Sequence, residues 1–153
     1  MRKIIIDTSP LVIHLVGVFN NKLVEKVSIY KFPDDELRCV ERLMAQADDI
    51  VITPYVFGEL FWLVNTRLNQ SGDDTKKIFI RYMKVMTRFK ESFIEKNDIL
   101  DFKKLELGPT DVSLFLTAKR FKYPILTSDR EFIGFCKSEK VDVISFQDSL
   151  FNL

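Results

Sequence analysis

The chain has 153 residues, the size of one domain. Its 23 Lys and Arg against 22 Asp and Glu leave a net charge of +1, so any nucleic-acid contact must come from local charge placement. A hydrophobic content of 46% excludes a disordered chain, and two distant cysteines, Cys39 and Cys136, exclude a disulfide framework and suggest no zinc site.

Short apolar runs predict the strands. Each run is continuous rather than alternating, which is typical of a parallel sheet that is covered on both faces. In chain order the predicted strands are Ile4–Ile6, Ile50–Ile52, Pro124–Thr127 and Val141–Ser145. Phe93-Ile94 and Ile99-Leu100 are further short candidates, and residues 20–33 give no clear pattern.

Helical periodicity fills the segments between these strands. In chain order the predicted helices run from Leu11 to Phe19, from Asp34 or Asp35 to Ala47, from Tyr55 to about Ser71, from Asp73 to about Lys90, from Thr110 to Lys122 and from Asp129 to about Lys137. Ser9-Pro10 and Thr53-Pro54 each combine an N-cap residue with a proline at the first helical position, and Ser128 is a third predicted N-cap. The alternation predicts one α/β domain over residues 1–153, with a mainly parallel central sheet flanked by helices on both faces.

Neither a signal-peptide core nor a membrane span is expected near the start of the chain. Asp7 interrupts the first apolar run after Ile6, and the apolar stretch from Leu11 to Phe19 is about half the length of a membrane-spanning helix. We therefore expect a cytoplasmic protein with no membrane partner.

Four carboxylates are predicted to converge at one edge of the sheet. Ligands of parallel sheets gather at the carboxyl ends of the strands, where Asp7 and Asp129 follow the first and third predicted strands. Glu59 and Asp111 lie near the starts of helices that leave the same edge. Taken singly, Asp111 and Asp129 also fit helix caps, and a glutamate such as Glu59 is common in a first turn. Asp7 is harder to explain in this way, because Ser9 already meets the need for a cap.

A cluster of four carboxylates must be neutralised. Two carboxylates ~4 Å apart repel each other by about 4 kcal/mol at an effective dielectric constant of 20. Oxygen ligands without neighbouring His or Cys favour Mg²⁺ or Mn²⁺ over zinc. Because such ions are usually completed by substrate phosphates, the pattern predicts metal-dependent hydrolysis of a phosphoester.

Four motifs, in this order and spacing, resemble the PIN-domain family, which includes ribonuclease toxins of the VapC type. They are Ile4-Ile5-Ile6-Asp7-Thr8-Ser9, Pro54-Tyr55-Val56-Phe57-Gly58-Glu59-Leu60, Thr110-Asp111-Val112 with Thr117-Ala118, and Ile125-Leu126-Thr127-Ser128-Asp129-Arg130-Glu131-Phe132. The resemblance implies an endoribonuclease that uses Mg²⁺ or Mn²⁺ to cleave RNA. Its catalytic and metal-binding acids match Asp7, Glu59, Asp111 and Asp129, and its supporting hydroxyls match Thr8 and Ser128. It also implies a toxin role with an antitoxin protein partner, and pairing into a homodimer.

The helix predicted from Asp73 to Lys90 has a basic face and a broad apolar face. Four basic residues recur at spacings of four, three and four residues: Lys77, Arg81, Lys84 and Arg88. They are either contacts for an RNA backbone or a solvated helix face. On the apolar side, Phe79 and Met83 extend the surface beyond what one sheet covers, which predicts burial against a second subunit. The single histidine, His14, is predicted to be a packing residue rather than a catalytic base.

Other function classes lack their characteristic residues. A phosphoaspartyl phosphatase needs a second aspartate two residues after the first, where Ser9 stands, and a receiver domain needs an acidic pair near the first strand. The five glycines are too scattered for a dinucleotide-binding motif. The alternative that stays open is a catalytically silent RNA- or protein-binding module on the same fold. The complete acidic set argues against such a module, because binding an anion gains nothing from four carboxylates.

Overall fold

The computed structural model describes residues 2–68, 72–102 and 106–152. Its strands are β1 (Lys3–Ile6), β2 (Asp49–Ile52), β3 (Lys90–Glu91), β4 (Ile125–Thr127) and β5 (Val143–Ser145). They form one sheet in the order β3-β2-β1-β4-β5, and every neighbouring pair is parallel. The predicted α/β class with a parallel central sheet flanked by helices is confirmed.

Helices connect the strands and cover the sheet. In the described part of the chain they are α1 (Thr8–Phe19), α2 (Pro33–Ala45), α3 (Pro54–Arg67), α4 (Gly72–Met86), α5 (Lys96–Asp101), α6 (Pro109–Phe121), α7 (Arg130–Ser138) and α8 (Phe146–Phe151). A 3₁₀-helix over Asn21–Lys26 lies between α1 and α2. Over the described ranges, no helix has the length and apolar character needed to cross a membrane.

The hydrophobic core is built around β1, the central strand. Ile4, Ile5 and Ile6 are fully buried, as expected for a strand with neighbours on both sides and helices on its faces. α1 leaves the carboxyl end of β1 and packs against α2, α3 and α4. The first residues after the central strand are therefore held in the middle of the molecule.

Two predicted helix caps are wrong by one or two residues. The N-cap of α1 is Asp7 rather than Ser9, and the Asp7 carboxylate accepts a hydrogen bond of 2.7 Å from the backbone N–H of Thr8. The N-cap of α7 is Asp129 rather than Ser128. Carboxylates occupy both positions because the N-terminus of a helix favours a negative charge. The predicted cap at Thr53 is confirmed, since its side chain accepts from the N–H of Val56 at 3.4 Å.

Glu36 organises the segment that gave no sequence pattern. Its fully buried carboxylate accepts hydrogen bonds from the hydroxyl of Ser28 and from three backbone N–H groups, those of Ile29 at 2.6 Å, Tyr30 at 3.2 Å and Phe32 at 3.0 Å. Because Glu36 reaches back to the start of its own helix, α2 begins at Pro33 without a side-chain cap. The predicted caps Asp34 and Asp35 instead lie in the first turn of α2.

The region after α3 differs most from the sequence prediction. α4 ends at Met86 rather than near Lys90, because Lys90–Glu91 forms β3 beside Val51 and Ile52 of β2. The predicted strand at Phe93-Ile94 is absent from the described sheet. The one at Ile99-Leu100 lies within α5. α3 ends at Arg67, whereas the predicted end near Ser71 lies outside the described residues.

Candidate acidic active site

A cavity of about 240 Å³ opens at the carboxyl edge of the sheet. Its lining residues are Asp7, Ser9, Glu59, Gly108, Pro109, Thr110, Asp111 and Asp129. Asp7 follows β1 and Asp129 follows β4, whereas α3 supplies Glu59 and α6 supplies Asp111. The structure thus brings the four carboxylates predicted from the sequence together around one cavity.

Asp7 is the most firmly held of the four. One carboxylate oxygen accepts from the N–H of Thr8 at 2.7 Å, and the other accepts from the hydroxyl of Thr127 at 2.7 Å. The pKa of Asp7 is raised to about 6, mainly by burial and in part by the charges of Glu59 and Asp129, against the lowering effect of these two hydrogen bonds. Asp7 is therefore a fixed, buried carboxylate that resists ionisation.

Asp111 lies in the first turn of α6 and is partly buried. Burial raises the pKa of Asp111 to about 7, with further contributions from the charges of Asp7, Asp129 and Glu59. Among the described residues, no Lys, Arg or His lines the cavity. The described lining therefore supplies no counter-charge to this cluster.

Glu59 and Asp129 are exposed and each is held through one oxygen. Glu59 Oε2 accepts from the hydroxyl of Thr110 at 2.9 Å, and Asp129 Oδ1 accepts from the N–H of Phe132 at 3.0 Å. In the described part of the chain, no hydrogen bond uses the second oxygen of either carboxylate. These two side chains can turn towards a ligand without breaking a buried contact.

The hydroxyl contacts to the carboxylates come from threonines that sequence reasoning missed. Thr127 donates to Asp7 and also accepts from the N–H of Asp129 at 3.2 Å, so a single hydroxyl joins the ends of β1 and β4. By contrast, the hydroxyl of Thr8 is buried with no partner among the described residues, and Ser128 makes no hydrogen bond to a carboxylate there. The sequence did contain a signal for Thr127, which is the one polar residue at the end of an otherwise apolar predicted strand.

Buried hydroxyls behind the cavity fix α6 against α3. The hydroxyl of Ser113 lies 2.8 Å from that of Thr53, the N-cap of α3, and donates to the carbonyl oxygen of Thr110 at 2.7 Å. Since Thr110 in turn donates to Glu59, these contacts set the position of Glu59 relative to Asp111.

The donor set fits a hard divalent cation. All its charged groups are carboxylate oxygens, which Mg²⁺ and Mn²⁺ prefer, and a cation would relieve the repulsion that raises the pKa of Asp7 and of Asp111. Within the described residues, no group of three or more Asp, Glu, His or Cys side chains is already positioned to hold a metal ion. Ligation by three or more of these carboxylates thus requires side chains to move from their present positions.

The predicted basic stripe lies away from this cavity. Lys77, Arg81 and Lys84 are exposed on α4, and Arg88 lies beyond the end of that helix. The guanidinium of Arg81 is 5.8 Å from the ring centroid of Phe19, at the opposite end of α1 from Asp7. These residues do not line the acidic cavity.

His14 also lies outside the cavity. Its Nδ1 is hydrogen-bonded to the hydroxyl of Tyr82 on α4, and burial lowers the pKa of His14 to about 4. A histidine that packs between two helices and stays neutral near pH 7 fits the predicted packing role.

Comparisons with known proteins leave the function open. No family model and no curated protein matches the chain. One solved structure that matches is a domain of a functionally unknown protein from Methanocaldococcus jannaschii DSM 2661, with 18% sequence identity, coverage of 95% of this chain and 91% of that chain, and a TM-score of 0.47. At this level, the similarity carries no argument about function.

Proposed function

We propose that the protein is an endoribonuclease that uses Mg²⁺ or Mn²⁺ to hydrolyse RNA phosphodiester bonds at the acidic cavity. The observation that carries this proposal is the convergence of Asp7, Glu59, Asp111 and Asp129 around one cavity, whose described lining includes no basic residue. A site of this charge repels a phosphate unless a cation lies between them. The resemblance of the four sequence motifs to the PIN-domain family supports the same activity.

In the proposed mechanism the carboxylates hold the ion and the threonines hold the carboxylates. When bound, the ion would polarise the phosphoryl oxygen and lower the pKa of a bound water. Thr127 and the N–H of Thr8 fix both oxygens of Asp7, and Thr110 orients Glu59. The contacts to Asp7 preorganise that carboxylate before substrate arrives, which reduces the reorganisation needed for reaction.

The activity is tested with a labelled single-stranded oligoribonucleotide in Mg²⁺, in Mn²⁺ and in EDTA. We expect cleavage with either metal and none in EDTA. Cleavage that persists in EDTA would contradict a metal-dependent site. Binding of the oligoribonucleotide without cleavage in any divalent metal would favour the alternative, a catalytically silent RNA-binding module.

Thr127→Val is expected to lower kcat about 10- to 100-fold, because residues that orient metal ligands typically contribute this much. The variant keeps the shape of the side chain but removes the hydroxyl that contacts Asp7 and the N–H of Asp129. Thr127→Ser restores the hydroxyl and should recover most of the activity. Equal kcat values for the valine variant and the wild type, with both proteins folded by circular dichroism, would show that this contact does not position the site.

We also propose that a second copy of the chain covers the exposed apolar side chains of α3 and α4. These side chains are Phe57 and Trp62 on α3 and Ile80 and Met83 on α4. Phe79, expected at the same surface, packs against Phe57 and Phe61 with ring centroids 6.0 and 5.3 Å apart. Covering exposed apolar surface stabilises a pair by ~25 cal/mol per Å².

The pairing proposal predicts a mass of two chains by light scattering at micromolar concentration. Ile80→Glu with Met83→Glu should give one chain, whereas Leu100→Glu, at an exposed leucine on α5, should leave the mass unchanged. The single tryptophan, Trp62, is 62% exposed in the isolated chain, so its fluorescence should shift to the blue as the dimer forms. A one-chain mass for the wild type would refute the proposal.

A toxin role with an antitoxin protein partner is a proposal that rests on the family resemblance. Expression of the wild type should then arrest growth, and Asp7→Asn should remove the arrest. If the wild type and Asp7→Asn both arrested growth, the toxicity would not depend on the acidic cavity.

A further inference from the structure

A second cavity, of about 250 Å³, adjoins the acidic cavity. Its lining residues are Ser9, Val12, Val27, Ser28, Ile29, Leu63, Arg67 and Ser128. Ser9 lines both cavities, and Ser128 directly precedes Asp129. A ligand that extends from the carboxylates past Ser9 therefore enters the second cavity.

Arg67 gives the second cavity a positive charge. Among the described residues it is the one basic side chain that lines either cavity, and no hydrogen bond or ion pair of the described chain uses its guanidinium. Glu59, Leu63 and Arg67 follow one another at four-residue spacing on one face of α3, so Arg67 lies about 12 Å along the helix from Glu59. An anionic group bound by Arg67 is thus too far from the carboxylates to be the same group as a phosphate bound at the acidic cavity.

The rest of the lining combines hydroxyls with an aliphatic wall. In the described chain, the hydroxyls of Ser9 and Ser128 have no hydrogen-bond partner. The hydroxyl of Ser28 donates to Glu36 and accepts from the N–H of Lys31, so Glu36 fixes the side of the cavity that Ser28 lines. Val12 and Leu63 contribute apolar surface. The guanidinium can bind the phosphate of a nucleotide, and the free hydroxyls can hydrogen-bond the polar edges of its base. The apolar wall can pack against the flat face of the base.

We infer that the second cavity is a subsite for the nucleotide next to the scissile phosphodiester, with the guanidinium of Arg67 on a phosphate of the same RNA strand. The inference rests on the proposed function, because the strand enters from the acidic cavity. RNA is favoured over an acidic peptide because this cavity continues from one whose donors suit a metal-bound phosphoester.

The test compares steady-state cleavage by wild type, Arg67→Gln, Arg67→Lys and Arg120→Gln on oligoribonucleotides of increasing length. Arg120 is the matched control, because it lies near the end of α6 that is remote from Asp111. Arg67→Gln should raise KM about tenfold on long substrates with kcat unchanged, since it removes binding that is equal in the ground and transition states. The slope of log KM against log salt should fall by about one for this variant.

Arg67→Lys should keep the salt dependence but recover only part of the affinity, because lysine cannot contact a phosphate through two N–H groups. Substrates too short to span both cavities should give equal KM values for wild type and Arg67→Gln. Binding of the long oligoribonucleotide in Mg²⁺, followed by fluorescence anisotropy in an Asp7→Asn background that cleaves it slowly, should weaken by the same factor as KM.

Four outcomes would overturn the subsite. Unchanged KM and salt dependence for Arg67→Gln at every length, with cleavage intact, would leave the proposed function standing and remove only the subsite. An equal effect of Arg120→Gln would indicate general attraction by charge. A loss of kcat without a change in KM would assign Arg67 to the chemistry instead. Wild type that neither binds nor cleaves RNA would overturn the proposed function and the subsite together.

Discussion

Asp7→Asn is expected to lower the rate of RNA cleavage by at least about 10³-fold. Metal ions supply several kcal/mol of transition-state stabilisation, and each 1.36 kcal/mol is a factor of ten in rate. Asparagine fills the same space but removes the charge from the most firmly held carboxylate of the proposed metal site. The matched control is Asp101→Asn at the end of α5, an exposed aspartate that does not line the acidic cavity. Wild-type rates for Asp7→Asn, in a preparation free of contaminating nuclease, would refute the catalytic role.

The same substitution should stabilise the metal-free protein, in a way that depends on pH. Burial raises the pKa of Asp7 from 3.8 to about 6, which corresponds to about 3 kcal/mol between its two protonation states. The folded wild type binds a proton there that the unfolded chain does not, so wild-type stability falls as pH rises from about 4 to 6. Asparagine resembles the protonated carboxyl and avoids this loss.

Urea denaturation in EDTA checks this stability effect. Asp7→Asn should exceed the wild type by up to about 3 kcal/mol at pH 8 and by little at pH 4. The difference between the two proteins cancels the contribution of His14, which both carry and whose lowered pKa changes stability in the opposite direction. It reports Asp7 together with its effect on Asp111, whose pKa is raised in part by the charge of Asp7. If Asp7→Asn were less stable than wild type at pH 8, the charged carboxylate of Asp7 would stabilise the fold rather than destabilise it.

Glu36→Gln is expected to lower the free energy of unfolding by about 2–4 kcal/mol. The carboxylate accepts from one hydroxyl and three N–H groups, whereas glutamine has one oxygen to accept with and turns N–H donors towards the others. Two or more buried donors are then left without a partner, which costs about 1–3 kcal/mol each. In the described part of the chain, no other side chain accepts from these N–H groups.

The control for this prediction is Glu41→Gln on the same helix. Glu41 is exposed, so its substitution should change stability by less than about 0.5 kcal/mol. Hydrogen exchange should rise in residues 28–32 of the Glu36→Gln protein and stay unchanged in β1. Equal stability of the two variants would mean that the segment before α2 is held by other contacts.

The acidic cavity was predictable because buried parallel strands leave a strong sequence pattern. Ile4–Ile6 and Ile125–Thr127 are continuous apolar runs, and the carboxyl edge follows directly from their ends. Asp7 and Asp129 were therefore placed correctly, even though the N-caps of α1 and α7 were assigned to Ser9 and Ser128.

The buried contacts of Glu36 and the strand β3 could not be predicted, each for its own reason. The contacts of Glu36 go to irregular backbone, which has no period in sequence, so a buried glutamate looks like one more charged residue on α2. β3 consists of two exposed charged residues, and its strand geometry comes from pairing with β2 rather than from local preference. The hydroxyl of Thr127 was missed because the register of β4 beside β1 decides what it touches.

The hydrogen bond between Thr127 and Asp7 also sets the moment during protein synthesis at which the cavity is assembled. Its partners are 120 residues apart in sequence. The second edge of β1 can be paired only after β4 has been synthesised. At roughly 5–20 residues per second, a ribosome needs roughly 6–24 s to make the chain between them. A growing chain that ends before Ile125 contains three of the four carboxylates and lacks the strand that fixes Asp7. Assembly of the cavity is therefore confined to chains in which β4 and Asp129 have been made.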